Sequence, residues 1–247
     1  MRAGERKADT IARDLLERIV HGEIPVGSLL PKEDELAVSY GSARSVVREA
    51  IKLLEVHRLV KPTRRLGTVA LDPSASPSPD VVRALLLHAG HIDLEVFAGW
   101  LEIRAVLDAS MCVAAAERRT AKDLEALDRV LGELAATADD PSSFHAAIVT
   151  LTLTLARAAR NPLYLVLAQW HASAVMDLEP VFLTIRTAGR PHVEGIALLV
   201  ECIRRKDAAA ARELVVAFHG WATPRLLATA RLVNGEHPDR PRKRSKA

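Results

Sequence analysis

ERIVHGEIPVGSLLPKEDELAVSYGSARSVVREAIKLLEVHRLVKPTRRLGTVA, residues 17–70, decides the fold of the N-terminal part of this chain. Leading into it, Ile11, Leu15 and Ile19 recur at the spacing of one helical face, with Ala8, Ala12 and Leu16 beside them, which predicts a helix over residues 7–21. Gly22 and the Pro25 to Gly27 segment end it. Pro31 suits a first helical turn, and Glu33, Asp34 and Glu35 then sit near the positive end of the dipole, predicting a second helix over 31–39. A turn at Tyr40 and Gly41 leads to Ser42, a good N-cap, and to a third helix ending near Val56. In that helix Val47, Ala50, Ile51 and Leu54 form the stripe to be buried, while Arg44, Ser45, Arg48 and Lys52 fall on the other side. Two short strands, 59–61 and 68–71, follow as a hairpin with Arg64, Arg65 and Gly67 at its tip.

Two helices joined by a tight turn and followed by a glycine-tipped hairpin make a winged helix-turn-helix, whose partner is double-stranded DNA. A recognition helix enters the major groove by its N-terminal end, where side chains one turn apart reach neighbouring base edges. Arg44 and Arg48 have that spacing, and an arginine fork can engage the O6 and N7 of guanine with two hydrogen bonds. Ser45 would donate to a phosphate or base edge, and Lys32 would neutralise a phosphate. A solvated surface helix and an ordinary hairpin are the bland alternatives, and the turn and wing together weigh against them.

The same residues resemble the DNA-binding domain of the GntR family of bacterial transcription factors, with its "I..G.l..G..LP.E.eLa" run, its "sR..vReAl..L" run and a Gly-bearing wing. The resemblance places Arg44 and Arg48 at DNA-contacting positions, and Arg64, Arg65, Gly67 and Thr68 on a hairpin lying over the minor groove. Three positions depart from the pattern. Asp34 stands where the family usually has arginine; it would repel phosphate and could accept only from a base donor such as cytosine N4, so the operator should differ from those of the best-known relatives. Ala43 replaces the usual Ser or Thr, removing one phosphate hydrogen bond. Arg58 replaces a glycine at a helix C-terminus.

Residues 72–80, with Pro73, Pro77, Pro79 and several serines, read as a linker that closes a DNA-binding domain over 1–71. Beyond it strand signals vanish. Thr120 with Asp123, Asp140 before Pro141 and Asn161 before Pro162 are N-cap signatures, so residues 81–234 read as an all-helical bundle and the fold class as mainly α. The end, 235–247, reads as a basic disordered tail. The net charge of +3 is small, but recognition of DNA needs a local basic face rather than a basic protein. Cys112 and Cys202 lie in apolar helical patterns without metal-ligand spacing, which suits a reducing compartment. A charged opening and the lack of a long apolar run lead to the expectation of a cytoplasmic protein with no membrane association.

LEIRAVLDASMCVAAAERRTAKDLEAL, residues 101–127, resembles the start of the FadR-type (FCD) C-terminal domain, "R..lE..aa..AA.r.t..dl..l". LARAARNPL and IRRKDAAAAREL resemble two of its later turns. The resemblance implies a homodimer with a cavity for a small effector. Arg104, Asp108, Thr152 and His171 are the candidate effector residues, with Trp170 beside them; for Arg104 the alternative is an intrahelical pair with Asp108. Many such domains hold a metal through an Asp and three His. Here those positions fall on Ile148, Thr152, Ile196 and Phe218, with His145, His192 and His219 only at shifted registers. No metal and no other cofactor is therefore expected, a shifted divalent site being the minor alternative. The apolar replacements point instead to a small organic acid or acyl-type effector, including an acyl-CoA. The reading is a ligand-responsive DNA-binding regulator, most simply a repressor, on a pseudo-palindromic operator. The competing reading, a metal-dependent helical enzyme carrying a winged module, lacks a nucleophile–base pair, a His-Glu metal motif and a phosphate loop. A non-specific architectural DNA protein is disfavoured by the acidic excess of the helical part.

Overall fold

The computed structural model describes residues 6–187 and 189–236, which divide into two units, one running to His88 and the other starting at Ala89. In the first, helix α1 (Lys7–Val20) buries Ile11, Leu15 and Ile19, as its spacing requires. Helix α2 (Glu33–Ser39) starts two residues later than Pro31, because the Glu35 carboxylate accepts from the Lys32 backbone N–H at 3.1 Å and fixes Lys32 as the cap. Helix α3 (Arg44–Val56) buries Val47, Ala50, Ile51 and Leu54 against α1 and α2. Its N-cap position is Ala43, not Ser42. Ser42 lies one residue too early, and its buried hydroxyl has no partner, so no side chain caps the helix.

The hairpin pairs β1 (Val60–Thr63) with β2 (Gly67–Ala70), antiparallel, from Val60 opposite Ala70 to Thr63 opposite Gly67. Gly67 has φ of +124°, a conformation side chains resist, and an added Cβ would come within 3.3 Å of Leu29. Leu30 N–H donates to the Thr68 carbonyl at 2.8 Å, tying the wing to the segment ahead of α2.

The Pro/Ser-rich stretch expected to be a linker is ordered. Asp72 accepts from Ser74 N–H, Ser76 Oγ donates to the His57 carbonyl at 2.6 Å, and Ser78 caps helix α4 (Pro79–Leu86). Val81 and Ala84 of α4 join the core of the first unit against α1, so this unit extends past the expected boundary at residue 71. Turn-rich composition sets where a chain bends; whether the bends are held depends on partners far away in sequence.

The second unit is helical: α5 (Leu94–Arg118), α6 (Ala121–Ala136), α7 (Pro141–Ala158), α8 (Pro162–Ala174), α9 (Glu179–Arg186), α10 (Gly189–Arg204) and α11 (Ala208–Val233). Side chains cap most of the starts: Thr120 with Asp123 on α6, Asp140 on α7 and Asn161 on α8, where the sequence places them, and also Asp93 on α5 and Asp207 on α11. The long helices α5 and α11 pack along each other, and Asn234 exchanges two 2.8 Å hydrogen bonds with the Ile92 backbone beyond the end of α11. Leu127, Leu134, Phe144, Ile203 and Ala211 sit at the centre of the packing, with Ala115, Ala116 and Ala158 letting helices approach closely. The expected basic tail falls almost wholly outside the described residues. No described helix is long and apolar enough to cross a membrane.

Candidate nucleic-acid interface and internal cavity

On α3, Arg44, Ser45 and Arg48 are all exposed, on the side opposite the buried stripe. Each arginine is already engaged by an acid of α2. Arg44 Nε lies 2.5 Å from Asp34 Oδ1, and the Arg48 fork holds Glu33 with contacts of 3.2, 3.2 and 2.7 Å. The Arg48 hydrogen bond holds the Glu33 carboxyl below its usual range. Arg48 is therefore aimed by Glu33, and Arg44 is charge-compensated by the residue that departs from the family pattern. With Ala43 ahead of it, the first turn of α3 keeps its N–H groups free of any side-chain cap, an arrangement suited to a phosphate oxygen. Lys32 is exposed at the start of α2. Arg64, Arg65 and Gly67 are exposed at the wing tip, where Arg65 takes the left-handed region at φ of +64°, while Thr68 is half-buried in β2.

In the second unit, α5, α7, α8, α9, α10 and α11 line a cavity of about 640 Å³ that is partly open to solvent. Three of the four expected effector residues meet on its wall. Arg104 donates to Asp108 at 2.8 Å and reaches Thr152 Oγ1 at 3.4 Å, while His219 Nε2 lies 3.2 Å from the same Asp108 oxygen. The other Asp108 oxygen is buried without a partner. His171 does not line the cavity: it is buried behind Trp100, ring centroids 5.4 Å apart. Trp170 is not on the wall either.

Sequence reasoning passed over Arg186, which lines the cavity and is 7% exposed; its Nε and Nη1 have no hydrogen-bond partner. Burial and the like charge of Arg104 push its guanidinium down to about 10. A signal existed: Phe182, Ile185 and Arg186 share one face of α9 at three- and four-residue spacing, so the arginine falls in an apolar stripe. His145 is pushed down by burial and by Arg186. His192, whose ring packs among Phe144, Phe218 and Trp221, is pushed down to about 4 by burial and by Arg186. These histidines are neutral at pH 7.

The metal positions implied by resemblance, Ile148, Thr152, Ile196 and Phe218, all lie on the cavity wall and offer a single weak oxygen donor. His219 is taken by Asp108. Among the described residues no three His, Cys, Asp or Glu side chains converge as a metal would require. The donor set does not fit a metal.

Residues 7–69 match the model of bacterial regulatory proteins of the gntR family, and residues 100–218 match the FCD domain. An HTH-type transcriptional regulator of Mycobacterium tuberculosis, Rv0494, is 30% identical over 93% of this chain and 92% of its own. The chain belongs to the GntR family. This GntR-family regulator is also 26% identical to the galactonate operon transcriptional repressor of Escherichia coli, over 89% of this chain and 96% of that protein. The solved structure of Lar, described as controlling the Listeria monocytogenes agr system, matches in fold with a TM-score of 0.60 at 20% identity, over 92% of this chain and 98% of that one. The regulator is thus a DNA-binding transcription factor of the FadR/FCD type, mainly helical, and not an enzyme.

Proposed function

We propose that this regulator is a cytoplasmic repressor that binds a pseudo-palindromic operator as a homodimer, and that a small organic acid or acyl-type effector in the helical cavity tunes its affinity for DNA. Arg44, Ser45 and Arg48 read the major groove, Lys32 and the wing residues Arg64, Arg65, Gly67 and Thr68 hold the backbone and minor groove, and Arg104, Asp108 and Thr152 line the effector site, with His171 packed behind it. The observation that carries the reading is one chain holding an exposed, acid-aimed arginine pair on α3 and, in its helical unit, a largely apolar cavity with charged groups on its wall. Effector occupancy then changes operator affinity by a coupling free energy of about 1–3 kcal/mol, five- to 150-fold.

The test is selection of an operator from random duplexes by the full-length protein, followed by titration of the selected duplex with wild type and Arg44→Ala. Loss of one bidentate base contact should weaken binding by about 1–3 kcal/mol and relax the base preference at one position of each half-site. Selected sequences without two-fold symmetry, or an Arg44→Ala protein that binds as tightly as wild type, would refute this assignment. Sedimentation of the free and DNA-bound protein checks the dimer.

A further inference from the structure

We propose that the cavity takes a free monocarboxylate with an apolar tail, and that Arg186, rather than Arg104, is the side chain that grips its carboxylate. The inference rests on the effector-cavity reading above and specifies its ligand. Arg104 is already engaged: Asp108 neutralises it through Nε at 2.8 Å and Thr152 Oγ1 stands 3.4 Å from Nη2. Arg186, at the end of α9, presents two buried donor nitrogens with nothing to receive them. Of the two acids on the cavity wall, Asp108 is taken by Arg104 and His219, and Glu179 is exposed at the start of α9, seven residues before Arg186. A guanidinium left buried without an acceptor is costly, and a bound carboxylate lowers that cost by accepting from Nε or from Nη1, with Nη2 as the parallel donor on either edge of the fork. The histidines nearby add no competing charge, since Arg186 itself helps to keep His145 and His192 neutral.

The rest of the wall decides what is attached to the carboxylate. Trp100, Ile148, Leu151, Phe182, Ile196 and Phe218 offer hydrocarbon over most of the wall, with the unpartnered Trp100 Nε1 and Asp108 Oδ1 and the His192 ring as scattered polar points, so a polyhydroxy acid would leave most of its hydroxyls against hydrocarbon, and a second carboxylate would be driven against that surface. An acyl-CoA would bring a neutral thioester where the free donors stand. An alkanoate with an apolar tail matches both the fork and the wall.

Octanoate is the probe, titrated calorimetrically into the full-length protein at pH 7 beside octanol, octanedioate, galactonate and octanoyl-CoA. Wild type should prefer octanoate to all four, and Arg186→Met and Arg186→Gln should each weaken octanoate binding roughly ten- to hundred-fold. Without ligand, Arg186→Met should melt higher than wild type, as relief of an unpaired buried charge requires, whereas Arg104→Met, which strands Asp108, should melt lower. A purely structural arginine would give the opposite shift in melting. The proposal is overturned by octanoate binding within about twofold of wild type in both Arg186 variants, by absence of octanoate binding to wild type, or by preference for any of the other four compounds. If octanoate binds through Arg186 yet leaves operator affinity unchanged, the carboxylate site stands and the effector role falls.

Discussion

Asp34→Asn should tighten operator binding, against the habit that changing a residue beside a reading helix weakens it. Asp34 holds Arg44 at 2.5 Å, with 54% and 68% of the two side chains exposed. At such exposure an ion pair contributes about 0.2–1 kcal/mol, and Arg44 must give it up to engage a base. Releasing the pair therefore costs up to about fivefold in affinity per reading head. The acid adds a second cost, because a carboxylate within a Debye length of the duplex, about 8 Å at physiological salt, repels the phosphates. Asparagine removes both while keeping the shape. Fluorescence anisotropy on the selected duplex at several salt concentrations should show Asp34→Asn binding about fivefold tighter per head at low salt, with the gain shrinking as salt rises. Weaker binding by Asp34→Asn at every salt concentration would refute this account. If that loss also fell on duplexes carrying cytosine at one position, Asp34 would be accepting from cytosine N4 as a base reader.

Asp108→Ala should destabilise the helical unit by about 3 kcal/mol, because it strands Arg104 on the cavity wall; a loss of unfolding free energy in urea of less than a third of that would mean the pair is effectively solvated. Phe144→Ala, at a fully buried position, should cost about 3–5 kcal/mol with an unchanged denaturant slope, and a smaller loss would mean the core collapses around the gap. Acid should weaken the fold. An unfolded His192 takes its proton near 6.5, whereas the folded one waits until about 4, so the unfolded state binds more protons between those values. Stability is full above pH 6.5 and falls as pH drops through this window, by on the order of 1–2 kcal/mol once solvent screening is allowed for, with His145 and His171 acting in the same direction. Equal urea midpoints at pH 7 and pH 5 would contradict that.

What could be read from the sequence was what neighbouring residues decide among themselves. The stripe on α3 and the caps at Thr120, Asp140 and Asn161 all stand where spacing and side-chain chemistry place them, since a cap is settled within four residues. Ser42 missed the cap by one residue because the turn at Gly41, φ +52°, swings the chain before the helix begins. The ordered run from Asp72 to α4 escaped notice because its anchors, the His57 carbonyl and the flank of α1, lie far away in sequence. Arg186 escaped for the same reason: a basic residue in the last turn of a helix reads as a favourable dipole partner, and only the fold reveals that no acid faces it.

The arginines proposed to read DNA and to bind the effector obey one electrostatic rule in opposite regimes. Arg44 and Arg48 sit in water, where an acid partner is cheap to form and cheap to leave; Glu33 and Asp34 can pre-aim the forks and still surrender them to DNA. Arg186 sits buried, 7% exposed, and there an acid partner from the protein itself would have closed the fork to any ligand. Leaving it unpaired lowers the stability of the empty protein and returns that free energy on ligand binding. An anion able to reach Arg186 should therefore raise the melting temperature of wild type by more than the same anion raises that of Arg186→Met, at equal free anion concentration. Affinity and stability are then one quantity at this site, measured in two ways.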